Sequence, residues 1–323
     1  MDLLQSQPDK QSKAVLVTGG AGFIGSNLVD KLLEIGYRVV VIDDFSSGKE
    51  GNLIKHKNNP SLIIYKRSIT DCLDDIFKTY KIDSIFHLAA KLSIPYSIEH
   101  PIETHDVNVN GILNLLNTCK NFNVGKFILS SSYAVYGEQK NLPFTEDLHP
   151  NPVNPYGLHK WMSEQYCKLF SSLYGIKTVI LRYSNVYGPR QNPLGEYASL
   201  IPKFITLINK EIAPTINGDG NQTRDFVFVS DVVDANIIAL NLADKMCCDI
   251  FNVGSGNEIS VNEIAERIIK LKGKCIEPVH GPPLTEIKRA FLSSQKAGDL
   301  LKWVPKVSLE EGLKITYKSL AGV

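Results

Sequence analysis

Between residues 13 and 183 the chain alternates short β-branched runs with stretches whose apolar residues recur at helical spacing. That alternation restricts the fold more than any other feature. The runs AVLVTG (14–19), RVVVID (38–43), LIIYKR (62–67), SIFHLAA (84–90), KFILSSS (126–132) and KTVILRY (177–183) read as strands. FIGSNLVDKLLEIG, VNVNGILNLLNTCKNFN and YGLHKWMSEQYCKLFSSLYG read as helices between them. Such a repeat buries its apolar faces by laying strands in parallel and covering both faces with helices. The expected class is α/β with a parallel sheet, and 323 residues at 43% hydrophobic leave material for a second core.

Past residue 184 the rhythm breaks. YGPRQNPLGEYASLIP is rich in Pro, Gly and Asn and reads as a loop. A helix over about 199–210, a short strand around TING and the run RDFVFVSDVVDANIIALNLA follow, then IFNVGSG as strand and turn. The tail from Ser260 is helical, with a break at GPP. The expected division is a disordered leader (1–12), a cofactor domain (13–184 plus about 219–254), and a smaller α/β substrate domain (about 185–218 and 255–323).

Charge and cysteine content exclude several classes. Thirty-five basic residues against 34 acidic ones give a net +1, so bulk electrostatics offers nothing to a nucleic acid. The six cysteines show no CxxC spacing and lie mostly within apolar patterns, as buried thiols of a reducing compartment do. No metal is expected. No apolar run reaches membrane-spanning length, and the N-terminus is polar with no signal-peptide core. The expected setting is cytoplasmic, with no membrane partner.

VTGGAGFIGSN sets glycines at 19, 22 and 25 between the first strand and the first helix. Glycines there let the backbone turn tightly against a pyrophosphate, whose charge rests on the helix N-terminus. Asp43 ends the second strand, placed to accept hydrogen bonds from a ribose diol and to repel a 2′-phosphate. The pattern is the Rossmann type of doubly wound sheet, and it favours NAD over NADP, with Lys49 nearby as the one cation against that preference.

NPYGLHKW sets Tyr156 four positions before Lys160 at the start of a helix, one turn apart on one face. A free phenol ionises near pH 10, and a close cation favours its charged form. A nicotinamide cofactor needs an acid/base partner to take an alcohol proton, and LSSSYAVYG at the end of the fifth strand offers hydroxyls where ligands of open α/β sheets gather. His87 and His159 read as core or solvent-facing residues, since no carboxylate or second ligand stands at a metal-like spacing. RIIKLKGK is a helix end with cations suited to its dipole.

TGGAGFIG, HLAA, NVNG, SSSYAVYG, PYGLHK, LRYSNVYGPRQ and NGDGNQTRDFVFVSD together resemble the extended short-chain dehydrogenases/reductases of the nucleotide-sugar epimerase and dehydratase family. The resemblance runs from about Lys13 to the C-terminus. It implies Tyr156 as base, Lys160 on the nicotinamide ribose and lowering the tyrosine pKa, and Ser132 as the hydroxyl partner. It also implies NAD contacts at Gly19, Gly22, Phe23, Ile24, Gly25, Asp43 and Asp44, and at Ile69, Leu88, Ala89, Ala90, Asn108 and Tyr183. Substrate contacts are implied at Ser93, Ser131, Ser132, Tyr156, Asn185 and Ser199, with Leu200 and Asn217 flanking uracil and Arg224 on the diphosphate.

Tyr133 and Ala134 follow the catalytic hydroxyl where the dehydratases carry Asp-Glu and the decarboxylases a Glu. What remains is a 4-epimerase that oxidises carbon 4, rotates the keto sugar and returns the hydride. The family's second diphosphate arginine falls near Leu284, leaving Lys288 or Arg289 as substitutes. Ser68 and Ser184 also depart from common family residues. Where narrow galactose epimerases set a tyrosine against the sugar's 2-substituent, this chain aligns Ala290, which implies UDP-N-acetylglucosamine and UDP-N-acetylgalactosamine as substrates, with UDP-glucose and UDP-galactose tolerated. A UDP-glucose or UDP-glucuronate 4-epimerase, and a non-catalytic NAD-binding regulator, stay open. The resemblance further implies a homodimer joined through first-domain helices.

Overall fold

The computed structural model describes residues 14–194, 198–283 and 287–322. The expected leader and the position of Leu284 lie outside them. In chain order the first half forms β1 (Ala14–Thr18), α1 (Phe23–Glu34), β2 (Arg38–Asp43), β3 (Leu62–Lys66), α2 (Asp74–Thr79), β4 (Ile82–His87), α3 (Ile94–Glu99), α4 (Pro101–His105), α5 (Gly111–Phe122), β5 (Lys126–Ser132), α6 (Pro155–Tyr174) and β6 (Lys177–Tyr183). The second half adds β7 (Asn185–Tyr187), α7 (Leu200–Asn209), β8 (Thr215–Asn217), β9 (Thr223–Phe228), α8 (Val229–Leu242), β10 (Asp249–Val253), β11 (Glu258–Ser260), α9 (Val261–Lys272), β12 (Val279–Gly281), β13 (Arg289–Ala290) and α10 (Leu309–Ala321).

Seven strands make one parallel sheet in the order β10-β6-β5-β4-β1-β2-β3. Chain order reverses between β1 and β4, and open α/β sheets bind ligands at that crevice. The interior strand β1, AVLVT, is buried at every position, as a strand covered on both faces must be. Leu28, Val29 and Leu32 of α1 join Val232, Val233 and Ala239 of α8 on one face. Ile112, Leu115 and Leu116 of α5 join Cys167 and Phe170 of α6 on the other. The expected alternation and doubly wound class are present.

A smaller sheet runs β11-β9-β13, with β7 also paired to β9, and a separate two-stranded ribbon joins β8 to β12. Helices α7, α9 and α10 close a third core with Phe226 and Phe228 of β9. Thr223–Phe228, expected with the first sheet, therefore pairs within the second; beyond it β10 joins the first sheet, and α8 with Ala297, Leu301 and Trp303 packs on its core. One carboxylate fastens this sheet. Asp225 accepts hydrogen bonds from Ser255 N (2.8 Å), Ser255 Oγ (2.6 Å), Gly256 N (3.3 Å) and Leu292 N (3.2 Å). Burial pushes its pKa above the usual value while these donors pull it back.

Candidate active site

The glycine loop is built for close approach. Gly19 has φ +68, and a Cβ there would stand 2.8 Å from Ala89 N. A Cβ on Gly25 would fall inside van der Waals distance of the Gly19 carbonyl oxygen. Gly22 caps α1 in an extended conformation with no side-chain cap and no acidic residue in the first turn, so the N-terminus presents its amides and positive dipole end to an anion. Asp43, 6% exposed, accepts from Ala21 N (2.9 Å) and Phe45 N (2.8 Å), locking the loop to the end of β2. Its pKa is raised, chiefly by burial. Asp44 caps Ser46 N (2.8 Å) at the surface.

These residues surround a cavity of about 660 Å³ that Phe23, Ile24, Ile69, Leu88, Ala89 and Ala90 also line, as do Ser93 and Ser199. The cradle fits a dinucleotide: glycines where the pyrophosphate passes, an open helix terminus, and a carboxylate at the strand end. Lys49, Asn52, Arg67, Tyr96, Arg190 and Gln191 line it too, and all but Lys49 escaped the sequence reading. Arg190 carried a legible signal, a cation inside a Pro/Gly loop. It sits at φ 71, held by Asp30 (2.6 Å), with Nη1 buried and without a hydrogen-bond partner.

Helix α6 positions the acid/base pair. Asn154 accepts from Gly157 N (2.9 Å) as N-cap, Pro155 opens the first turn, and Gly175 at φ 72 ends the helix. Tyr156 is thereby fixed in the first turn, its amide donating to Ser97 Oγ (3.2 Å). A Cβ on Gly157 would stand 2.6 Å from Ala134 O, so the helix seats directly on the turn that follows β5.

Both members of the pair are buried, Tyr156 at 9% exposure and Lys160 at 4%. Burial raises the phenol to about 12, a hydrogen bond with Ser132 pulls it back, and Tyr133 adds to the rise. Burial lowers Lys160 to about 8, against the pull of Glu164. The Lys160 ammonium stands 6.0 Å from the Tyr156 ring centre and donates to Ser130 O (2.7 Å). In the chain alone burial dominates the phenol, and the lysine's hydrogen bond goes to the strand.

Other expected residues divide. Ser132 ends β5 in register with Tyr183, and Asn185 lies just beyond, donating to Asp225 O (3.1 Å) and approached by Tyr133 Oη (3.4 Å). Arg224 sits in register with Ala290, its Nη1 donating to Thr223 O (2.8 Å). Leu200 opens α7 against the third core. Two residues are turned elsewhere. Ser131 faces α6, where its hydroxyl donates to Glu164 (2.6 Å), because successive strand residues point to opposite sides. Arg289 diverges from Ala290 for the same reason and pairs with Glu258 on the exposed face. Asn217 is exposed on β8, its backbone carbonyl accepting from Gln222 Nε2 (3.0 Å). Asn108, in a π-helical turn between α4 and α5, clamps the Lys91 backbone through both ends of its amide (2.8 and 2.9 Å), which braces the cavity wall.

Tyr183 shares hydrogen bonds with Asn236 (2.7 and 3.0 Å). His87 is buried against Thr18 Oγ1 (2.8 Å) and lowered to about 3 by burial, so it stays neutral in the core, as read from the sequence. Among the described residues no cluster of His, Cys, Asp or Glu could hold a metal ion. None of the described helices is long and apolar enough to cross a membrane.

A family model for the NAD dependent epimerase/dehydratase family matches residues 15–254. The chain belongs to that family. A putative UDP-glucose 4-epimerase from Methanocaldococcus jannaschii is 43% identical over 303 residues, covering 93% of this chain and 96% of that one. The structure of a UDP-glucose 4-epimerase from Thermotoga maritima with UDP-glucose superposes with a TM-score of 0.90 at 40% identity, covering 96% and 99%. A UDP-N-acetylglucosamine 4-epimerase from Methanobrevibacter ruminantium, in complex with UDP-N-acetylmuramic acid, gives 0.91 at 37% identity, covering 97% and 99%. The enzyme is an NAD-dependent isomerase, a UDP-sugar 4-epimerase.

Proposed function

We propose that the enzyme interconverts UDP-N-acetylglucosamine and UDP-N-acetylgalactosamine, with UDP-glucose and UDP-galactose as weaker substrates. The observation that carries this reading is Ala290: a methyl group, 2% exposed, in the cluster against which Tyr133 packs and one strand over from Arg224. A tyrosine there would fill space that an acetamido group at carbon 2 requires. NAD, held by the glycine loop and Asp43, would supply the hydride acceptor and donor for carbon 4. Tyr156 Oη takes the proton of the 4-hydroxyl and returns it after the keto sugar has turned. Ser132 holds the same oxygen by hydrogen bond, and Arg224 and Asn185 hold the diphosphate end while the hexose rotates.

The test is incubation of purified enzyme with UDP-N-acetylglucosamine and, separately, with UDP-glucose, followed by sugar analysis. Higher kcat/KM for the acetylated sugar is expected. Turnover of UDP-glucose alone would overturn the proposal, and turnover of neither with NAD bound would indicate a regulator on this fold. Ala290→Tyr should cost the acetylated substrate tenfold or more beyond its effect on UDP-glucose, since a pocket contact of this size is worth about 1–3 kcal/mol. Equal losses would remove Ala290 from the pocket wall.

The active species is proposed to be a homodimer. Leu158 (41% exposed), Leu169 (49%) and Leu173 (59%) form a stripe with Met162 and Tyr166 on α6, and Ile102 on neighbouring α4 is 85% exposed. Apolar stripes at such spacing on adjacent helices fit helix-to-helix association. Leu169→Asp combined with Leu173→Asp should convert the dimer to a monomer by light scattering, and an unchanged mass would remove α6 from the interface.

A further inference from the structure

Behind the acid/base pair lies a buried charge pair that the reaction as described leaves unused. Glu164, fully buried, stands one helical turn beyond Lys160 on α6. Its carboxylate accepts from Ser131 Oγ (2.6 Å) and Arg182 Nε (2.9 Å) on one oxygen and from Arg182 Nη2 (2.6 Å) on the other. Arg182, 1% exposed on β6, stacks 4.6 Å over the Tyr136 ring, whose hydroxyl donates to Asn252 (2.7 Å) on β10. A carboxylate gripped by a guanidinium fork and a hydroxyl is fixed in place on both oxygens. Removing water from both charges is costly, so a stabilising role alone is weak grounds for such a pair.

We propose that Glu164 is a positioning residue for the reaction: gripped by Arg182 and Ser131, it keeps Lys160 protonated at the pH of turnover and ties the catalytic helix to the strand end that carries Ser132. This rests on the assignment of Tyr156 and Lys160 to the chemistry. Three observations support it beyond the pair itself. Burial lowers Lys160 to about 8, and Glu164, one helical turn along α6, is the group that opposes that fall. Ser131 and Ser132 are neighbours on β5, so the hydroxyl that Glu164 captures sets the rotation of the strand that presents the other. Lys160 itself donates to Ser130 O on the same strand, so lysine, carboxylate and serine share one rigid frame.

The test uses the NAD-bound enzyme. Glu164→Gln removes the charge while keeping an acceptor for Ser131. Lys160 is followed by carbon NMR of protein labelled at the lysine ε-carbon, its signal assigned with Lys160→Met, alongside the pH profile of kcat. Glu164→Gln should lower the Lys160 midpoint by about one pH unit and move the alkaline loss of activity down with it, as loss of a nearby opposite charge requires. Because Arg182 would be left buried without its partner, the same readings are taken on Glu164→Gln/Arg182→Met, where the midpoint should still fall. Glu164→Asp, which retains the charge, should keep the midpoint near that of the parent even if kcat drops.

A folded Glu164→Gln or double variant with the parent's midpoint and alkaline limb overturns the proposal. So does failure of both to fold, which would make the pair a matter of the fold alone. The reading beneath it fails separately: turnover surviving Tyr156→Phe would dismiss the base while the Lys160 titration still answers for Glu164.

Discussion

Tyr156→Phe is expected to lower epimerisation about a thousandfold, the usual worth of a placed general acid/base, while the purified protein still carries NAD. The substitution deletes one oxygen and little else. The ring is packed in the first turn of α6, its amide stays bonded to Ser97 Oγ, and Lys160 keeps its bond to Ser130 O. Tyr156 is not among the residues that line the NAD cavity, which come chiefly from the loops after β1, β2, β3 and β4, with Ser130 of β5 and the segment after β7. The loss should therefore appear in kcat with substrate affinity nearly unchanged, measured by separating the two sugars chromatographically and reading bound nucleotide from its absorbance. Turnover within tenfold of the parent would strip Tyr156 of its role.

Gly25→Ala should yield a protein purified without NAD, with affinity for added NAD reduced at least a hundredfold. The new methyl would press on the Gly19 carbonyl oxygen, and that atom belongs to a backbone turn that accepts from Gly22 N (3.1 Å) and is pinned through Gly19 N to Ile42 O (2.8 Å). Backbone on both sides leaves nothing flexible to give way, so the loop must open where a pyrophosphate would lie. Calorimetry of NAD binding checks this. Gly36→Ala is the control: φ is +88 there, yet a Cβ meets nothing within 4 Å, so it should cost some stability through backbone strain and leave NAD bound. Equal nucleotide content in both variants would refute the close-approach argument.

What the sequence made legible was local. Helical and strand periodicity in the first half, the glycine spacing at 19, 22 and 25, and Asp43 at a strand end each follow from residues near one another in the chain, and the structure places all of them around one cavity. Long-range partners were not legible. Ser131 and Arg289 stand next to Ser132 and Ala290, but strand alternation sends adjacent side chains to opposite faces, where Glu164 and Glu258 receive them. The tyrosine–lysine spacing was visible, whereas the depth of burial that pushes both away from their charged forms was not. Asn108 became a brace because a π-helical turn reorients it, and no composition signal announces such a turn. The membership of Thr223–Phe228 in the second sheet depends on Ser255, Gly256 and Leu292, which follow Asp225 by 30 to 67 positions.

Asp225 also sets a rule for anyone redesigning which sugar the enzyme accepts. Its two oxygens grip the 255–256 turn and the residue two places past Ala290, and a methyl on Gly254 would strike the same carboxylate. Transplanting the stretch around Ala290 from a relative without the matching 254–256 turn would leave that buried anion short of donors. Preference and foldedness would then fall together, so these two segments must be exchanged as a set.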